Sequence, residues 1–318
     1  MGRILVTRRL PVGGLDPLAG TDHQIVQRDD DVPFTHDDLV EAAPTFDAIV
    51  CLLTDRIDDT VLSAGAMGRL RVVANVAVGY DNIDVDAATR HHVAVCNTPG
   101  VLDETTADLA FLLILAASRL SSEAEADLRA GRWPGWGINQ YLGRDVHGAT
   151  LGLVGYGRIG RAVARRAEGF GITVLHHTRH DTGVTGWVAA LDALLEPSDI
   201  VSLHVPLNDA SRHLIGAREL ALMGPAAVLV NTARGPVVDE EALADALERG
   251  VIFAAGIDVY EREPAVHPRL LAAPRAVLLP HIGSASQATR ARMAQVACAG
   301  VRAVLAGETP TNLVAPTC

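Results

Sequence analysis

The chain has 318 residues, about twice the ~150 typical of one domain, so two domains are expected. Apolar residues make up 49% and aromatic residues only 4%, which predicts cores built from Ala, Val, Leu and Ile. The formal charge of −11 argues against nucleic-acid binding, because phosphates attract basic surfaces. All 27 basic side chains are arginine, and the absent lysine amine excludes a Walker phosphate loop, a Schiff-base enzyme and a pyridoxal-phosphate enzyme.

Cysteine usage and hydropathy predict a soluble cytoplasmic protein. The four cysteines lack the spacing of a zinc or disulfide framework; they are Cys51, Cys96, Cys298 and Cys318. The longest apolar run, from Leu109 to Ala117, covers nine residues, whereas a membrane span needs about 20. The first strand-like run begins at Arg3, with no apolar leader before it.

Short aliphatic runs alternate with helical patterns, which predicts βαβ units on parallel sheets. Thr35 followed three residues later by Asp38 is typical of a capped helix start. Regular structure should stop at Asn97–Gly100. A buried helix is expected from about Asp103 to Ser118, because its apolar positions run all round it. The strands predicted in this half are Ile4–Thr7, Ile25–Gln27, Ala48–Leu52, Val72–Asn75 and Val93–Cys96.

A second series of βαβ units opens at Thr150, after a predicted loop from Gly131 to Gly137 that holds Trp133 and Trp136. The chain becomes helical again from Gln287 to Leu305. The strands predicted in this half are Leu151–Val154, Thr173–Leu175, Ile200–Leu203, Val228–Asn231, Ala254–Ile257 and Val277–Leu279.

A glycine-rich loop, Gly155-Tyr156-Gly157-Arg158-Ile159-Gly160, follows one of these strands and opens a helix, as a dinucleotide-binding loop requires. We interpret Gly155 as allowing the tight turn and Gly157 as letting the backbone approach a pyrophosphate. Gly160 would permit close packing of the helix on the strand. The N–H groups at the helix start, including Arg158 and Ile159, would hold the phosphates. The alternative is an ordinary strand–turn–helix corner.

The residues after the next strand bear on cofactor choice. An NAD site has an acid about twenty residues beyond the glycines, which accepts a hydrogen bond from the ribose 2′-OH. Thr178 stands at that position, and Asp181 lies too far on to reach the ribose. Arg179 could fork onto a 2′-phosphate, so we predict a preference for NADPH. The alternative is that Arg179 is a solvated loop cation and the cofactor is NADH.

Three polar side chains follow successive strands, where open α/β sheets bind their ligands. His281 could protonate the oxygen of a carbonyl that receives a hydride, and Glu263 could stabilise the charged ring. Arg234 could fix the carboxylate of the substrate and polarise its carbonyl. Each residue alone is more often structural, but their joint occurrence after a dinucleotide loop predicts reduction of a 2-oxo acid.

These segments resemble the D-isomer-specific 2-hydroxyacid dehydrogenase family over the whole length of the chain. The segment from Asn75 to Asp84 is most similar to the glyoxylate/hydroxypyruvate reductase branch. The hallmark segments are the glycine loop, Thr232-Ala233-Arg234-Gly235, Asp258-Val259-Tyr260 through Glu263-Pro264, and Pro280-His281-Ile282-Gly283.

The resemblance implies an α/β fold with two doubly wound parallel-sheet domains and an active site in the cleft between them. We expect a flavodoxin-like substrate-binding domain at 1–98 plus 288–318 and a Rossmann dinucleotide-binding domain at 99–287. By resemblance, the N–H groups of Val78 and Gly79 hold the substrate carboxylate. Thr106 contacts the cofactor and Asp258 the nicotinamide amide. The family forms dimers, mainly through the cofactor domains.

Other activities remain open at this point. Phosphoglycerate dehydrogenase usually carries a C-terminal regulatory extension, and both it and phosphite dehydrogenase commonly have the NAD-type acid that Thr178 replaces. The chain could also be a dinucleotide-sensing binding protein without turnover. The Trp133/Trp136 loop resembles a segment of the reductase branch that reaches toward the other subunit, but it is short here.

Other charged or histidine-rich stretches are interpreted as structural. His91-His92 and His176-His177 lack further ligands at useful spacing, so no metal is predicted. Asp29-Asp30-Asp31 is expected on a surface loop. The arginines of the predicted helix after the glycine loop should lie on its exposed face: Arg161, Arg165 and Arg166.

Overall fold

The computed structural model describes residues 2–28 and 30–315, so Asp29 and Cys318 lie outside the described residues. The chain divides into two compact units, Met1–Leu102 with Ser284–Cys318, and Asp103–Gly283. The expected boundaries after 98 and 287 are therefore shifted to 102 and 283. The first shift has a structural reason, because the helix that begins at Asp103 packs against strands of the second unit.

Twelve strands and eleven α-helices are formed by the described residues. The strands are β1 Arg3–Val6, β2 Gln24–Gln27, β3 Ala48–Cys51, β4 Val72–Asn75, β5 Ala94–Cys96, β6 Thr150–Val154, β7 Thr173–His177, β8 Trp187–Val188, β9 Ile200–Leu203, β10 Val228–Asn231, β11 Ala254–Ile257 and β12 Ala276–Leu278. The helices are α1 His36–Ala42, α2 Asp59–Met67, α3 Val85–Arg90, α4 Asp103–Ser118, α5 Ser121–Arg129, α6 Arg158–Glu168, α7 Leu191–Leu195, α8 Ala217–Met223, α9 Glu240–Arg249, α10 Pro268–Ala272 and α11 Gln287–Ala306.

The first unit is built on a five-stranded parallel sheet with the order β2-β1-β3-β4-β5, the flavodoxin-like order. Its central strands β3 and β4 are buried at every position, as expected of a sheet covered on both faces. Thr35 caps α1 through a reciprocal capping box with Asp38, as the sequence predicts. The returning helix α11 packs against β3, β4 and β5.

The second unit is built on a seven-stranded parallel sheet with the order β12-β11-β10-β9-β6-β7-β8, the Rossmann order with one further strand. The strand order reverses between β6 and β9, which is where such sheets bind ligands. Helix α4 packs against β10 and β11. Gly256 permits this contact, since a Cβ there would lie 2.8 Å from Cβ of Leu113.

The predicted class of fold is confirmed, and α4 and four strands have the predicted bounds. The other predicted strands differ by one residue at one or both ends, except β7, which continues two residues further to His177 because those residues pair with β8. Neither α5 nor β8 is predicted from the sequence. Helix α5 has no buried residue and so no apolar periodicity, and β8 is only two residues long.

Within residues 2–28 and 30–315, no single helix is long and apolar enough to cross a membrane; α4 and α5 meet that test only as a pair bent by 69°. The same residues hold no group of three His, Cys, Asp or Glu placed to bind a metal ion. Two of the paired histidines have side-chain partners: His91 Nε2 lies 3.0 Å from Asp59 Oδ1, and His176 Nε2 lies 2.7 Å from Thr182 Oγ1.

Candidate active site

The glycine loop joins β6 to α6, and its three glycines have different surroundings. Gly155 has φ +97°, and a Cβ there would lie 2.5 Å from the carbonyl oxygen of His204. A Cβ on Gly160 would lie 2.4 Å from the carbonyl oxygen of Gly155. A Cβ on Gly157 would meet no protein atom within 4 Å, so the backbone there is open to a ligand. The loop therefore has the geometry that a pyrophosphate at the start of α6 needs.

Next to this loop, His204 is the first residue after β9. Its Nε2 atom lies 2.9 Å from Oγ of the buried Ser202. Burial lowers the pKa of His204 to about 4, so its ring is neutral at neutral pH. The ring therefore adds no positive charge beside the glycine loop.

Three of the four arginines of α6 form hydrogen bonds or ion pairs with protein groups. Arg161 Nε donates to the carbonyl oxygen of Tyr156, within the glycine loop. Arg165 and Arg166 form ion pairs with acids of α4: Arg165 pairs with Glu104, and Arg166 with Glu104 and Asp108. These last two arginines therefore link α6 to α4.

The residues after β7 form a loop with internal hydrogen bonds. Thr178 Oγ1 donates to the carbonyl oxygen of His180 at 2.6 Å. Asp181 is exposed and accepts from the N–H of Gly183 at 2.8 Å. The guanidinium of Arg179 is exposed and makes no ion pair with any of the described residues. The guanidinium of Arg179 is thus available at the position where the sequence predicts the contact with a 2′-phosphate.

The structure brings His281 and Glu263 together. Nδ1 of His281 lies 2.8 Å from Oε2 of Glu263, and each side chain is 27% exposed. The other carboxylate oxygen of Glu263 accepts from the N–H of Tyr260 at 3.0 Å. The hydroxyl of Tyr260 donates to the carbonyl oxygen of Leu279 at 2.9 Å, which ties this loop to the residue after β12. Nε2 of His281 takes no part in the pair.

Electrostatics favour an ionised carboxyl group at position 263. Burial opposes ionisation, but the hydrogen bond and charge of His281, the Tyr260 N–H and the charge of Arg234 hold the pKa of Glu263 below its usual value. Glu263 therefore stays negative through the neutral range. The contribution of this pair to folding stability is present at neutral pH and is lost as pH falls below the usual range of glutamate.

Asp258 holds the turn that presents His281. Its two carboxylate oxygens accept from the N–H groups of Ile282 and Gly283, each at 2.8 Å, and its carbonyl oxygen accepts from the N–H of His281. Burial raises the pKa of Asp258, while these N–H groups and the charge of His281 act against the rise. His281 itself has φ +53°, an uncommon conformation that this turn stabilises. Oγ1 of the buried Thr106 on α4 faces the same turn, 3.6 Å from where a Cβ on Gly283 would lie.

Arg234 stands on a loop that is fixed from two directions. Asn231, the buried last residue of β10, donates to the carbonyl oxygen of Arg234 and accepts from the N–H of Ala233, both at 3.0 Å. Gly235 packs directly on the next loop, since a Cβ there would lie 1.8 Å from the carbonyl carbon of Tyr260. Position 235 can therefore only be glycine if Arg234 is to keep its place beside the Glu263 loop.

Several supporting residues were not predicted from the sequence. Asn231 and Tyr260 hold the loops of Arg234 and Glu263, and burial together with neighbouring acids raises the pKa of Tyr260 to about 12. For Asn231, the sequence signal was a polar side chain at the end of a predicted buried strand. Val78 and Gly79 belong to the other unit, where they follow β4 and are partly exposed.

Comparison with known proteins shows which family the chain resembles. Residues 111–283 match the family described as "D-isomer specific 2-hydroxyacid dehydrogenase, NAD binding domain". A glyoxylate reductase of Korarchaeum cryptofilum is 46% identical and covers 98% of this chain and 95% of its own. A crystal structure of a Thermus thermophilus protein superposes with a TM-score of 0.92 at 41% identity, covering 98% of this chain and all of its own.

A third relative has a structure with ligands. The NADPH-dependent glyoxylate/hydroxypyruvate reductase of Sinorhizobium meliloti, solved in complex with NADP and malonate, has a TM-score of 0.86 at 35% identity. It covers 99% of this chain and 97% of its own length. The chain belongs to the D-isomer specific 2-hydroxyacid dehydrogenase family, as the sequence motifs predict.

Proposed function

We propose that this protein is an NAD(P)H-dependent reductase of small 2-oxo acids, with glyoxylate and hydroxypyruvate as the first candidates. The observation that carries the proposal is the pair of His281 and Glu263 beside the charge of Arg234, at the ends of β12, β11 and β10. The glyoxylate reductases among its relatives support the choice of substrate. The unit Asp103–Gly283 is assigned to the dinucleotide and the other unit to substrate binding.

The open backbone at Gly157 and the start of α6, which has no side-chain cap, fit a dinucleotide cofactor, with Thr106 and Asp258 toward its nicotinamide end. When bound, the nicotinamide supplies a hydride for the carbonyl carbon. Nδ1 of His281 donates to Glu263, so the Nε2–H is the proton that is available for the developing alkoxide.

Arg234 and the N–H groups of Val78 and Gly79 are assigned to the carboxylate of the substrate. A guanidinium can donate to the carboxylate and the carbonyl oxygen at once, which orients the ketone and polarises it. The ionised Glu263 accepts a hydrogen bond from Nδ1 of His281 and so orients the ring of the proton donor.

The direct test is a turnover assay with glyoxylate, hydroxypyruvate and pyruvate, in which the absorbance of reduced nicotinamide is followed. We expect oxidation of NADPH with at least one of these acids and none without them. Cofactor binding without turnover on the whole panel would contradict the proposal and favour a dinucleotide sensor.

We propose a preference for NADPH over NADH, supported by the exposed Arg179 and by the absence of an acid at Thr178. Arg179→Ala is expected to lower kcat/KM for NADPH about tenfold or more and to leave that for NADH nearly unchanged, because only NADPH carries a 2′-phosphate. Kinetics with both cofactors measure the ratio. The preference is refuted by a wild-type enzyme that favours NADH, or by a variant with an unchanged ratio. Arg212→Ala, which removes another arginine of the same unit, serves as the control.

Glu263→Gln is expected to weaken reduction at high pH first. The carboxylate of Glu263 attracts the charge of an imidazolium at His281 across their 2.8 Å contact, and a neutral amide at position 263 does not. The descending limb of kcat against pH should therefore move to lower pH, and the measurement is a pH profile of wild type and variant. An unchanged profile would show that the pair does not set the protonation of the acid.

We also propose that the protein forms a homodimer through the unit Asp103–Gly283. The segment from α5 to the start of β6 exposes a series of large apolar side chains, as expected of a surface that a second copy covers. These are Leu128, Trp133, Trp136, Ile138 and Leu142. Sedimentation at micromolar concentration should give twice the mass of one chain, and the mass of a single chain would refute the dimer.

We propose a cytoplasmic location for the protein, supported by buried free thiols at Cys51, Cys96 and Cys298.

A further inference from the structure

The segment that follows β4 has three successive carbonyl oxygens that accept hydrogen bonds. The carbonyl of Ala77 accepts from the N–H of Thr98 at 2.9 Å. The carbonyl of Val78 accepts from Nδ2 of Asn97 at 2.8 Å, and that of Gly79 from Nδ2 of Asn75 at 2.9 Å. All three donors lie at one edge of the sheet, since Asn75 ends β4 and Asn97 and Thr98 directly follow β5.

These carbonyl contacts decide where the matching N–H groups point. In a trans peptide the N–H is antiparallel to the C=O, so each N–H is turned away from the group that holds its carbonyl. The N–H groups concerned are those of Val78, Gly79 and Tyr80, which face away from the edge of the sheet. None of the three has an acceptor among residues 2–28 and 30–315, and all three residues are partly exposed.

The two asparagines are themselves fixed. Asn75 is fully buried, and its second amide proton goes to Oδ1 of Asn82 at 2.9 Å. Asn82 in turn donates to the carbonyl oxygens of Leu52 and Asp55. The backbone of Asn97 is held by Asn312, whose Nδ2 donates to its carbonyl oxygen at 2.7 Å. The side-chain amides of Asn97 and Asn75, which donate to the carbonyls of Val78 and Gly79, therefore have little freedom to move.

We infer that Asn75 and Asn97 are positioning residues. They orient the N–H groups of Tyr80 and Gly79 beside that of Val78, so that the three N–H groups form one binding site for the carboxylate of the substrate. Backbone N–H groups that share an orientation bind anions. The inference rests on the proposed function and deepens it. It adds the N–H of Tyr80 as a third donor, and it names the side chains that orient two of the three peptides. These side chains act through the backbone and do not touch the substrate.

The test compares glyoxylate with its methyl ester, which has the same aldehyde but no negative charge. Asn97→Asp has nearly the same shape, yet it replaces the amide donor by an acceptor and so releases the carbonyl of Val78. We expect kcat/KM for glyoxylate to fall about tenfold or more, mainly through KM, while that for the ester changes little. The inhibition constant of oxalate should rise in parallel. The affinity for NADPH should stay the same.

Asn97→Ala removes the donor without adding a charge, and it keeps the test valid if the Asp variant does not fold. Asp58→Ala is the control: it removes the N-cap of α2 in the same unit, whose carboxylate accepts from the N–H groups of Thr60 and Val61 and makes no contact with 75–80 or 97. This control should lower the melting temperature but keep the preference for glyoxylate over the ester.

The outcomes separate the inference from the proposed function. Wild type that does not reduce glyoxylate contradicts the proposed function. Wild type that prefers glyoxylate, together with Asn97 variants that keep that preference in full, overturns the inference alone. An equal loss of preference in Asp58→Ala also overturns it, because general loosening of the unit would then explain the effect.

Discussion

His281→Ala is expected to lower kcat for glyoxylate reduction by about 10²- to 10⁴-fold, the range for removal of a general acid. The physical reason is that hydride addition leaves negative charge on the carbonyl oxygen, and Nε2 of His281 is the proton source we assign to it. The affinity for NADPH should change little, because the ring is not assigned to cofactor binding. Single-turnover kinetics give the chemical rate, and fluorescence titration gives the affinity.

His213→Ala provides a matched control in the same unit. Nε2 of His213 lies 3.1 Å from Oε1 of Glu261, and His213 also has positive φ, at +49°. It is thus a second histidine–glutamate pair with a similar backbone conformation, outside the proposed site. We expect its loss to leave kcat nearly unchanged. A comparable loss in both variants would assign the effect on kcat to folding, and a His281→Ala enzyme with normal kcat would rule out the proposed proton donor.

The elements that the sequence predicts best are those with many buried residues. The strands β4, β9, β10 and β11 are buried at every position, and eight of the 16 residues of α4 are buried. Burial of this kind leaves a local signal that needs no knowledge of neighbours. The same reasoning predicts the glycine loop, because the backbone geometry of a single strand–turn–helix unit requires each glycine.

The parts that could not be predicted depend on contacts between distant positions. The contact of Gly235 with Tyr260 joins loops about 25 residues apart, and no local pattern around position 235 reveals it. Asp258 is the residue that we propose lies toward the nicotinamide. The structure adds that its carboxylate holds the turn after β12. The carbonyl-holding roles of Asn75 and Asn97 are equally invisible, since an asparagine at a strand end is usually read as turn chemistry.

Arg234→Ala is expected to lower kcat/KM for glyoxylate by about 10²- to 10³-fold, as for loss of one donor to a developing oxyanion. Part of the loss should be in KM, because the same guanidinium is assigned to the carboxylate, and part in kcat, because it polarises the carbonyl. The methyl ester of glyoxylate should lose mainly kcat. Steady-state kinetics with both substrates separate the two contributions.

The Lys variant distinguishes a positive charge from a forked contact. Arg234→Lys keeps the charge, but an ammonium group cannot donate to two oxygens in the fixed planar geometry of a guanidinium. We therefore expect it to recover only a small part of the loss. Arg262→Ala is the control, because Arg262 is exposed on the Glu263 loop and its side chain makes no ion pair with the described residues. Wild-type kcat/KM in Arg234→Lys would mean that charge alone holds the substrate. Catalysis would then not depend on the fixed geometry that Asn231 and Gly235 give this loop.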